Sequence, residues 1–400
     1  MPMQAQAEAA KEVGLTELFS VVVSRNPALS GKRAEVSAKE FSSDGARTGR
    51  YPSVSGQAGY DKNNTGSFTL RARQPLWAFG RIDSAIAYAD ADVVANKTDL
   101  LRVKRDLLDK TVTAYVRILA IYDRQEIAKD NIERHHEFHQ QILRREKGQL
   151  ASQADVKLAE LRLLQAQMQF KTTDGELRLA LNELEALAQL YLSSVQPVSR
   201  DVASLLISDA EVEALAVKHS AEIHYKNSLL DLARANTEKT GTAGMPTLYL
   251  QADRQFNQLG NWSDTRYGIM IEGSLEGMGL SGFTRAQAAG AGEVAAAESL
   301  KVTHNELIRN VRSMLRNRQL QQEMAEVQKQ SVTTFTEILN SYLRQYETGR
   351  KAWLEVLNIQ REMTSQRLQQ AQAENDALLH TLRLKTLIGS FDELAYGVKE

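Results

Sequence analysis

Apolar residues recur along the chain with two different spacings, one typical of helices and one of strands. Between residues 13 and 48 they lie three to four positions apart, as on one face of a helix: Leu15, Leu18, Phe19, Val22 and Val23. Asn26-Pro27 interrupts this helix, because the residue before a proline is pushed away from helical backbone angles. From Tyr51 the spacing changes to two, which predicts β-strands.

Two β-hairpins are predicted, at about residues 51–79 and 246–277. The apolar face of the first contains Val54, Gly56, Ala58, Tyr60, Phe68, Leu70 and Ala72. The second alternates in the same way, with apolar Leu248, Leu250, Ala252, Phe256, Tyr267, Ile269 and Ile271. The opposite face carries the charged residues Arg71, Arg73, Asp253, Glu272 and Glu276. Asn63-Asn64-Thr65-Gly66 predicts the turn of the first hairpin.

Each hairpin precedes a much longer helical segment. In the first half, pairs of apolar residues recur one heptad apart, namely Val93/Val94, Leu100/Leu101 and Leu107/Leu108. The first long helix is predicted to end at about Arg145, to turn at Gly148 and to return from about Ser152 to Ser194. Such a helix would be on the order of 95 Å long. The second runs from about residue 284 to 345, turns at Gly349 and returns over 352–388.

The chain therefore contains the same series of elements twice. Asn26-Pro27 precedes Pro52 by the same number of residues as Ser220-Ala221 precedes Pro246. Residues 1–200 form the first repeat and 201–400 the second, with long helical hairpins at about 82–194 and 284–388. The predicted fold is mainly α with a small β part, and we expect the two repeats to form one integrated domain.

Composition excludes several classes of function. The net charge is −1, so no strongly basic surface for nucleic acid is expected. The chain has no cysteine, which excludes disulfides, thiolate metal sites and a lipidated cysteine anchor. No run reaches the roughly 18 apolar residues of a membrane helix. Ala5-Gln6-Ala7 resembles the end of a cleaved signal peptide, which predicts a mature exported protein.

The strands need a partner, because two separate hairpins of four strands do not form a stable isolated sheet. An apolar face opposite a charged face over about ten residues is typical of transmembrane barrel strands. Four strands cannot close a water-filled barrel, whereas twelve strands from three chains can. A soluble sheet with one buried face has the same alternation. The long attached helices favour the barrel, with the five charged residues of the hairpins facing its lumen.

Three segments of the chain resemble the TolC family of outer-membrane export channels, and the resemblance extends from Leu15 to about Ser390. One is the second hairpin tip, Tyr346-Glu347-Thr348-Gly349-Arg350-Lys351-Ala352-Trp353-Leu354-Glu355-Val356-Leu357-Asn358. The others are the first tip at residues 147–156 and the strand-to-helix junction Pro75-Leu76-Trp77-Ala78-Phe79-Gly80-Arg81. The first tip has one residue more between Gly148 and Asp155 than the usual pattern.

This resemblance implies a homotrimer in the Gram-negative outer membrane. Each protomer would contribute four strands to a shared 12-stranded β-barrel and its helices to a trimeric α-barrel tunnel in the periplasm. The channel would be a passive exit duct and not an enzyme, and it would use no cofactor. It would open when an inner-membrane ABC transporter and a periplasmic adaptor (membrane fusion protein) dock.

The nature of the cargo is predicted from the second strand-to-helix junction. Its glycine-rich sequence, residues 275–283, resembles the family branch that secretes large repeat adhesins by type I secretion. An exported protein is therefore the expected cargo. A multidrug or small-molecule efflux channel is the alternative within the family. A soluble, elongated coiled-coil scaffold or adaptor is the alternative from another class.

The resemblance also implies roles for residues at the tips. Glu355 and Asn358 occupy the aperture positions, and an acidic ring there would favour cations. Tyr346 and Lys351 occupy positions that hold the tip closed, with Asp155 as the expected partner of Lys351. Solvated surface charges are the ordinary alternative for these groups. Gly148 and Gly349 would form the hairpin-tip turns and the adaptor-docking surface.

No other motif predicts chemistry. His135 and His139 lie one helical turn apart next to His136, but the other ligands of a metal site are missing, so a solvated helix face is expected. The glycines of residues 277–282 lack the lysine of a phosphate-binding loop. No nucleophile arrangement stands out, so neither an enzyme nor a metal site is predicted.

Overall fold

A computed structural model describes residues 11–60, 66–205, 207–256, 262–273 and 280–392. The elements of the first half are β1 (Lys11–Val13), α1 (Leu15–Arg25), α2 (Pro27–Arg47), a 3₁₀ turn (Thr48–Arg50), β2 (Ser53–Tyr60), β3 (Gly66–Trp77), α3 (Arg81–Lys147), α4 (Gln153–Ala188) and β4 (Leu192–Val195). Those of the second half are α5 (Arg200–Ala203), α6 (Asp209–His219), α7 (Ala221–Thr242), β5 (Thr247–Phe256), β6 (Trp262–Glu272), α8 (Leu280–Glu347) and α9 (Trp353–Leu387).

The predicted repeat is confirmed by this order of elements. In both halves a helix of 11 residues and one of 21 or 22 residues precede a hairpin, a helix of 67 or 68 residues and a returning helix. The break before each hairpin is also shared. Asn26 has φ −67° and ψ 124°, and Ser220 has φ −61° and ψ 115°, so each interrupts its helix with an extended residue.

Two short strands differ from the prediction. β1 pairs in parallel with β4, and the helix expected to reach Ser194 ends at Ala188. Gln189 ends it in a left-handed conformation, with φ +51°. Leu192 and Val195 are then buried as strand residues. Strands of three and four residues are too short to show a period of two, which explains why the sequence did not reveal them.

The chain forms two compact units, each drawn from both repeats. The first contains residues 1–27, 104–220 and 307–400, and the second contains residues 28–103 and 221–306. Large apolar side chains fill the core of the first unit, among them Leu18, Phe19, Leu108, Tyr115, Ile118, Ile121 and Leu184. Ion pairs link α2 to α3 in the second unit, including Lys32–Asp99 at 2.6 Å and Lys39–Asp92 at 2.8 Å.

The second unit contains a four-stranded antiparallel sheet in the order β2-β3-β5-β6. The two hairpins join side by side through β3 and β5. β2 and β6 therefore form the edges of the sheet. In the described ranges, no helix is both long enough and apolar enough to cross a membrane.

Candidate functional site

Each repeat has one turn between its long helices, and the two turns have the same backbone hydrogen bonds. In the first, Gln149 N–H donates to Glu146 O at 2.8 Å and Leu150 N–H to Arg145 O at 2.8 Å. In the second, Gly349 N–H donates to Tyr346 O at 3.0 Å and Arg350 N–H to Gln345 O at 2.9 Å. This pair of bonds is a Schellman motif, which requires a left-handed residue after the helix.

The two turns differ in the residue that supplies this conformation. Gly349 has φ +72°, whereas the equivalent residue of the first turn is Gln149, with φ +62°. Gly148 lies one position earlier and does not have a positive φ. Gly148 thus lies within the first turn, and Gln149 holds the left-handed position that Gly349 holds in the second. The extra residue between Gly148 and Asp155 reflects this displaced glycine, since both turns span the same number of residues.

A cluster of aromatic side chains packs beneath the second turn. The Tyr346 ring lies 5.1 Å from that of Trp353, which lies 5.3 Å from Phe138 in an edge-to-face arrangement. The Arg145 guanidinium covers the Tyr346 ring at 4.7 Å. Burial raises the pKa of the Tyr346 hydroxyl, and the Arg145 charge opposes this. These contacts tie α3 to α8 and α9, and we name Phe138, Arg145, Tyr346 and Trp353 the tip cluster.

The carboxylates of Asp155 and Glu355 bind groups of their own turns. Lys351 Nζ lies 2.7 Å from Glu355 Oε1, and the Glu355 carboxylate also accepts from the backbone N–H of Ala352 at 3.0 Å. Lys351 and then this N–H hold the pKa of Glu355 below its usual value. Asn358 follows one helical turn after Glu355 and is half-buried. Lys351 Nζ also lies 4.5 Å from the Tyr342 ring.

The expected pairing of Lys351 with Asp155 is wrong within this chain. Asp155 instead caps α4, where its carboxylate accepts from Ser152 N–H at 3.2 Å and from Ser152 Oγ at 2.8 Å. Asp155 and Glu355 thus occupy the same position of equivalent helices, and each binds the start of its own helix. Lys351 lies in the turn before α9, only four residues ahead of Glu355, and this short separation makes that pair the easier one to form.

The polar face of the sheet carries a continuous chain of side-chain contacts. Arg71 Nε donates to Asp253 Oδ1 at 2.8 Å, and Gln251 Nε2 donates to Asp253 Oδ2 at 2.6 Å. Arg73 then donates to Gln251 Oε1 and to Glu272 Oε2, each at 2.8 Å. Four of the five predicted lumen residues therefore lie together. Glu276 lies outside the described residues.

The opposite face of the sheet is apolar and exposed. The register aligns Ala58, Phe68 and Phe256 across three strands, and Leu250 lies opposite Ile269. Tyr267 is 86% exposed and Ile269 is 68% exposed. So large an apolar surface on a folded chain indicates contact with lipid or with another protein.

The comparisons with known proteins agree with this architecture. The profile of the family described as "Outer membrane efflux protein" matches residues 18–189 and 219–390. The chain belongs to this family. The two matched segments correspond to the two structural repeats. Comparison with curated protein sequences finds no significant match.

Solved structures show the same fold at low sequence identity. The outer-membrane channel OprN has a TM-score of 0.82 at 19% identity, with 94% of this chain and 89% of that chain covered. CusC has a TM-score of 0.80 at 18% identity, with 95% of each chain covered. The outer membrane protein VceC from Vibrio cholerae has a TM-score of 0.80 at 16% identity, with 94% of this chain and 96% of that chain covered.

The sequence of this outer membrane efflux protein family member did not indicate a role for three residues of the tip cluster, namely Phe138, Arg145 and Trp353. Trp353 lies inside the motif that supports the resemblance, but nothing in the motif indicates that it is 2% exposed. Phe138 and Arg145 belong to α3, more than 200 residues earlier. Their heptad positions predict a helix face but not the partner on the other repeat.

The histidines lie close to the tip cluster, and one of them differs from the expected solvated face. His136 is exposed, but His135 is buried and its ring lies 6.0 Å from Phe138. Burial lowers the pKa of His135 to about 4. Among the residues that the structure describes, no group of three or more His, Cys, Asp or Glu side chains is arranged to hold a metal ion.

Proposed function

We propose that the chain forms a homotrimeric channel in the Gram-negative outer membrane and acts as the exit duct of an export system. The observation that carries this proposal is the sheet, whose apolar face is exposed and whose opposite face is lined by ion pairs. β2 and β6 are the edge strands of this sheet, so each can pair with an edge strand of another copy. Three copies supply twelve strands, enough for a water-filled barrel.

The helical hairpins would form the periplasmic tunnel. The tip cluster supports a closed resting state, because Tyr346 and Trp353 bury their rings against α3. Docking of the periplasmic adaptor at the turns of Gly148 and Gly349, together with the inner-membrane ABC transporter, would separate these contacts. The Lys351–Glu355 pair is partly exposed and contributes little to stability, so docking can reverse it.

For the cargo we propose a protein exported by type I secretion, such as a large adhesin. The glycine-rich junction at 275–283 supports this choice. Small-molecule efflux is the second candidate, and the description of the family favours it. Deletion of the gene distinguishes the two, because the first predicts a missing secreted protein and the second predicts drug sensitivity with unchanged secretion.

The absence of cysteine allows a direct test of the trimer. Ser55→Cys in β2 combined with Met270→Cys in β6 places one thiol on each edge strand. A bis-maleimide should convert this variant into a covalent trimer in outer-membrane vesicles. Thr69→Cys with Gln255→Cys is the control, since these residues are partners within one chain and should give only a monomer. A monomer from both variants would reject the shared barrel.

A further inference from the structure

A β-bulge near the end of β3 changes the face of the sheet on which its last residue, Trp77, lies. Along β3 the even-numbered residues belong to the apolar face, and Ala72 lies opposite Ala252. The register shifts between Pro75 and Trp77, so that Trp77 lies opposite Leu248. Leu248 belongs to the apolar face. The bulge therefore adds a tryptophan to the end of the apolar face that is nearest the helices.

A cavity of about 650 Å³ adjoins this tryptophan. Its apolar lining comes from Pro75, Leu76, Trp77, Phe79, Ile82 and Met245. Trp77 is 63% exposed and Phe79 is 48% exposed, and their rings lie 6.0 Å apart. A cavity of this size is in the range of sites that bind small organic ligands.

The backbone is strained at Phe79, one member of this aromatic pair. Phe79 has φ +48°, a left-handed conformation that is rare for a bulky side chain, and Gly80 follows with φ +84°. Two successive left-handed residues reverse the chain between β3 and α3. This strained turn places the half-exposed Phe79 beside the cavity.

Two opposite charges lie at the polar side of the same cavity. Arg50 Nη2 is 2.6 Å from Asp83 Oδ1, and both side chains are more than half exposed. Gln74 Nε2 donates to the backbone carbonyl of Arg50 at 2.9 Å, which positions Arg50 beside the end of β3. An exposed ion pair of this kind contributes little to stability, so a ligand can replace the contact between Arg50 and Asp83 at little cost in free energy.

We propose that this cavity binds a zwitterionic phospholipid whose headgroup joins a phosphate to a primary ammonium group. Arg50 binds the phosphate and Asp83 accepts hydrogen bonds from the ammonium, while Trp77, Phe79 and Met245 contact the glycerol and the first part of the acyl chains. This inference rests on the proposed membrane location of the sheet.

Three features select this ligand over others. The cavity is continuous with the face proposed to contact lipid, at its end, where tryptophan is enriched in membrane proteins. Its charges are one cation and one anion, which match a zwitterion better than an anionic headgroup. A primary ammonium donates hydrogen bonds to Asp83 and a quaternary ammonium has no N–H to donate, so a lipid with a quaternary ammonium is expected to bind less tightly.

Native mass spectrometry of the detergent-purified trimer tests the proposal. The probes are phosphatidylethanolamine, phosphatidylcholine and phosphatidylglycerol with identical acyl chains. The wild-type protein should retain up to three ethanolamine lipids per trimer, about tenfold more readily than the choline lipid, as one additional charge-assisted hydrogen bond predicts. The glycerol lipid, which lacks a cation, should also be retained less.

Substitutions at the two charges separate their roles. Asp83→Asn should reduce the preference for ethanolamine over choline to near parity, and Arg50→Gln should weaken retention of both lipids. Asp231→Asn is the control, because it removes the carboxylate of another exposed pair, Arg234–Asp231, on α7. Equal retention of the three lipids by the wild type, or an unchanged preference in Asp83→Asn, would overturn the proposal.

The same samples distinguish failure of this inference from failure of the proposed function. A trimer that conducts ions in a planar bilayer but shows no lipid preference would reject only the lipid site. A protein that stays monomeric without detergent and does not conduct would reject the membrane channel itself.

Discussion

Gln149 and Gly349 occupy the same left-handed position in two turns that are 200 residues apart. Their φ values are +62° and +72°, and each N–H donates to the carbonyl three residues earlier. Glycine takes this conformation without strain, whereas a side chain such as that of glutamine meets the following carbonyl oxygen. The two tips of the repeat therefore have the same geometry but different local stability.

The first prediction is that Gln149→Gly stabilises the first turn by about 0.5–1 kcal/mol. Hydrogen exchange of the Leu150 amide, which closes the turn, should slow by roughly two- to five-fold. Gly349→Ala should accelerate exchange of the Arg350 amide by a similar factor. Its new Cβ would have no neighbour within 4 Å, so the cost comes from the backbone alone.

Gly148→Ala is the matched control for this prediction. Its φ is not positive, and a Cβ there would meet nothing closer than 3.5 Å. Exchange at Leu150 should therefore stay within two-fold of the wild type. Slower exchange in Gly148→Ala than in Gln149→Gly would show that the left-handed strain is not what limits the turn.

These turns also show which parts of the fold can be predicted from the sequence. The periodicity of Leu100/Leu101 and Leu107/Leu108 extends over many heptads, so the long helices and the repeat were predictable. The left-handed residue of the first turn, Gln149, was not, because Gly148 beside it is the stronger signal for that conformation in sequence. β1 and β4 were missed for a related reason, since Leu192 and Val195 alone form no pattern.

The second prediction concerns the aromatic contacts of the tip cluster. Trp353→Ala should destabilise the packing of α9 against α3 by about 3–5 kcal/mol, because the side chain is 2% exposed. The single-channel conductance in a planar bilayer should rise. Tyr346→Phe should conduct like the wild type, since its ring contacts remain, whereas Tyr346→Ala should conduct more.

Leu354→Ala is the control on the same helix, because Leu354 is exposed next to Trp353. It should leave the conductance unchanged. If Trp353→Ala and Leu354→Ala gave the same conductance, the aromatic packing would not hold the tip closed. Such a result would place the constriction elsewhere in the chain.

The third prediction concerns the charge of Glu355, which Lys351 compensates at 2.7 Å. Lys351→Met should increase the preference of the channel for cations, and Glu355→Gln should decrease it, as reversal potentials would measure. Glutamine retains the capping contact at this helix position, so the second variant should stay folded. Asp155→Asn, at the equivalent position of α4, is the control and should not change selectivity.

The pH dependence of this preference follows from the lowered pKa of Glu355. A carboxyl with a lowered pKa keeps its charge as the pH falls through the ordinary carboxylate range and loses it only below that range. Cation preference should therefore disappear at a lower pH in the wild type than in Lys351→Met. Loss at the same pH in both proteins would mean that Lys351 does not stabilise the charge.

The sequence predicted some residues of the tip but not the residues that they contact. Tyr346, Lys351 and Glu355 were predicted because they lie within one short motif of α8 and α9. Arg145 and Phe138 were not, since their contacts with Tyr346 and Trp353 depend on how α3 packs against the other repeat. The Lys351–Asp155 pair was wrong because each acid has a nearer partner in its own turn.

The last prediction is an acid sensitivity of the tip caused by His135. Its ring is buried beside Phe138, and among the described residues its Nδ1 has no hydrogen-bond partner. Burial, with a smaller contribution from the positive charge of Arg162, lowers its pKa from 6.5 to about 4. The folded protein therefore keeps His135 neutral at a pH at which the unfolded chain is protonated.

The direction of the effect follows from this difference. As the pH falls from about 6.5 to about 4, the unfolded chain takes up a proton that the folded tip does not, so stability falls by up to about 3 kcal/mol and then levels off. Exchange of amides in α3 near Phe138, which packs against the His135 ring, should accelerate over this range. His135→Phe should remove that acceleration, whereas His136→Phe, which replaces an exposed ring, should retain it. Equal pH dependence in both variants would assign the sensitivity to another group.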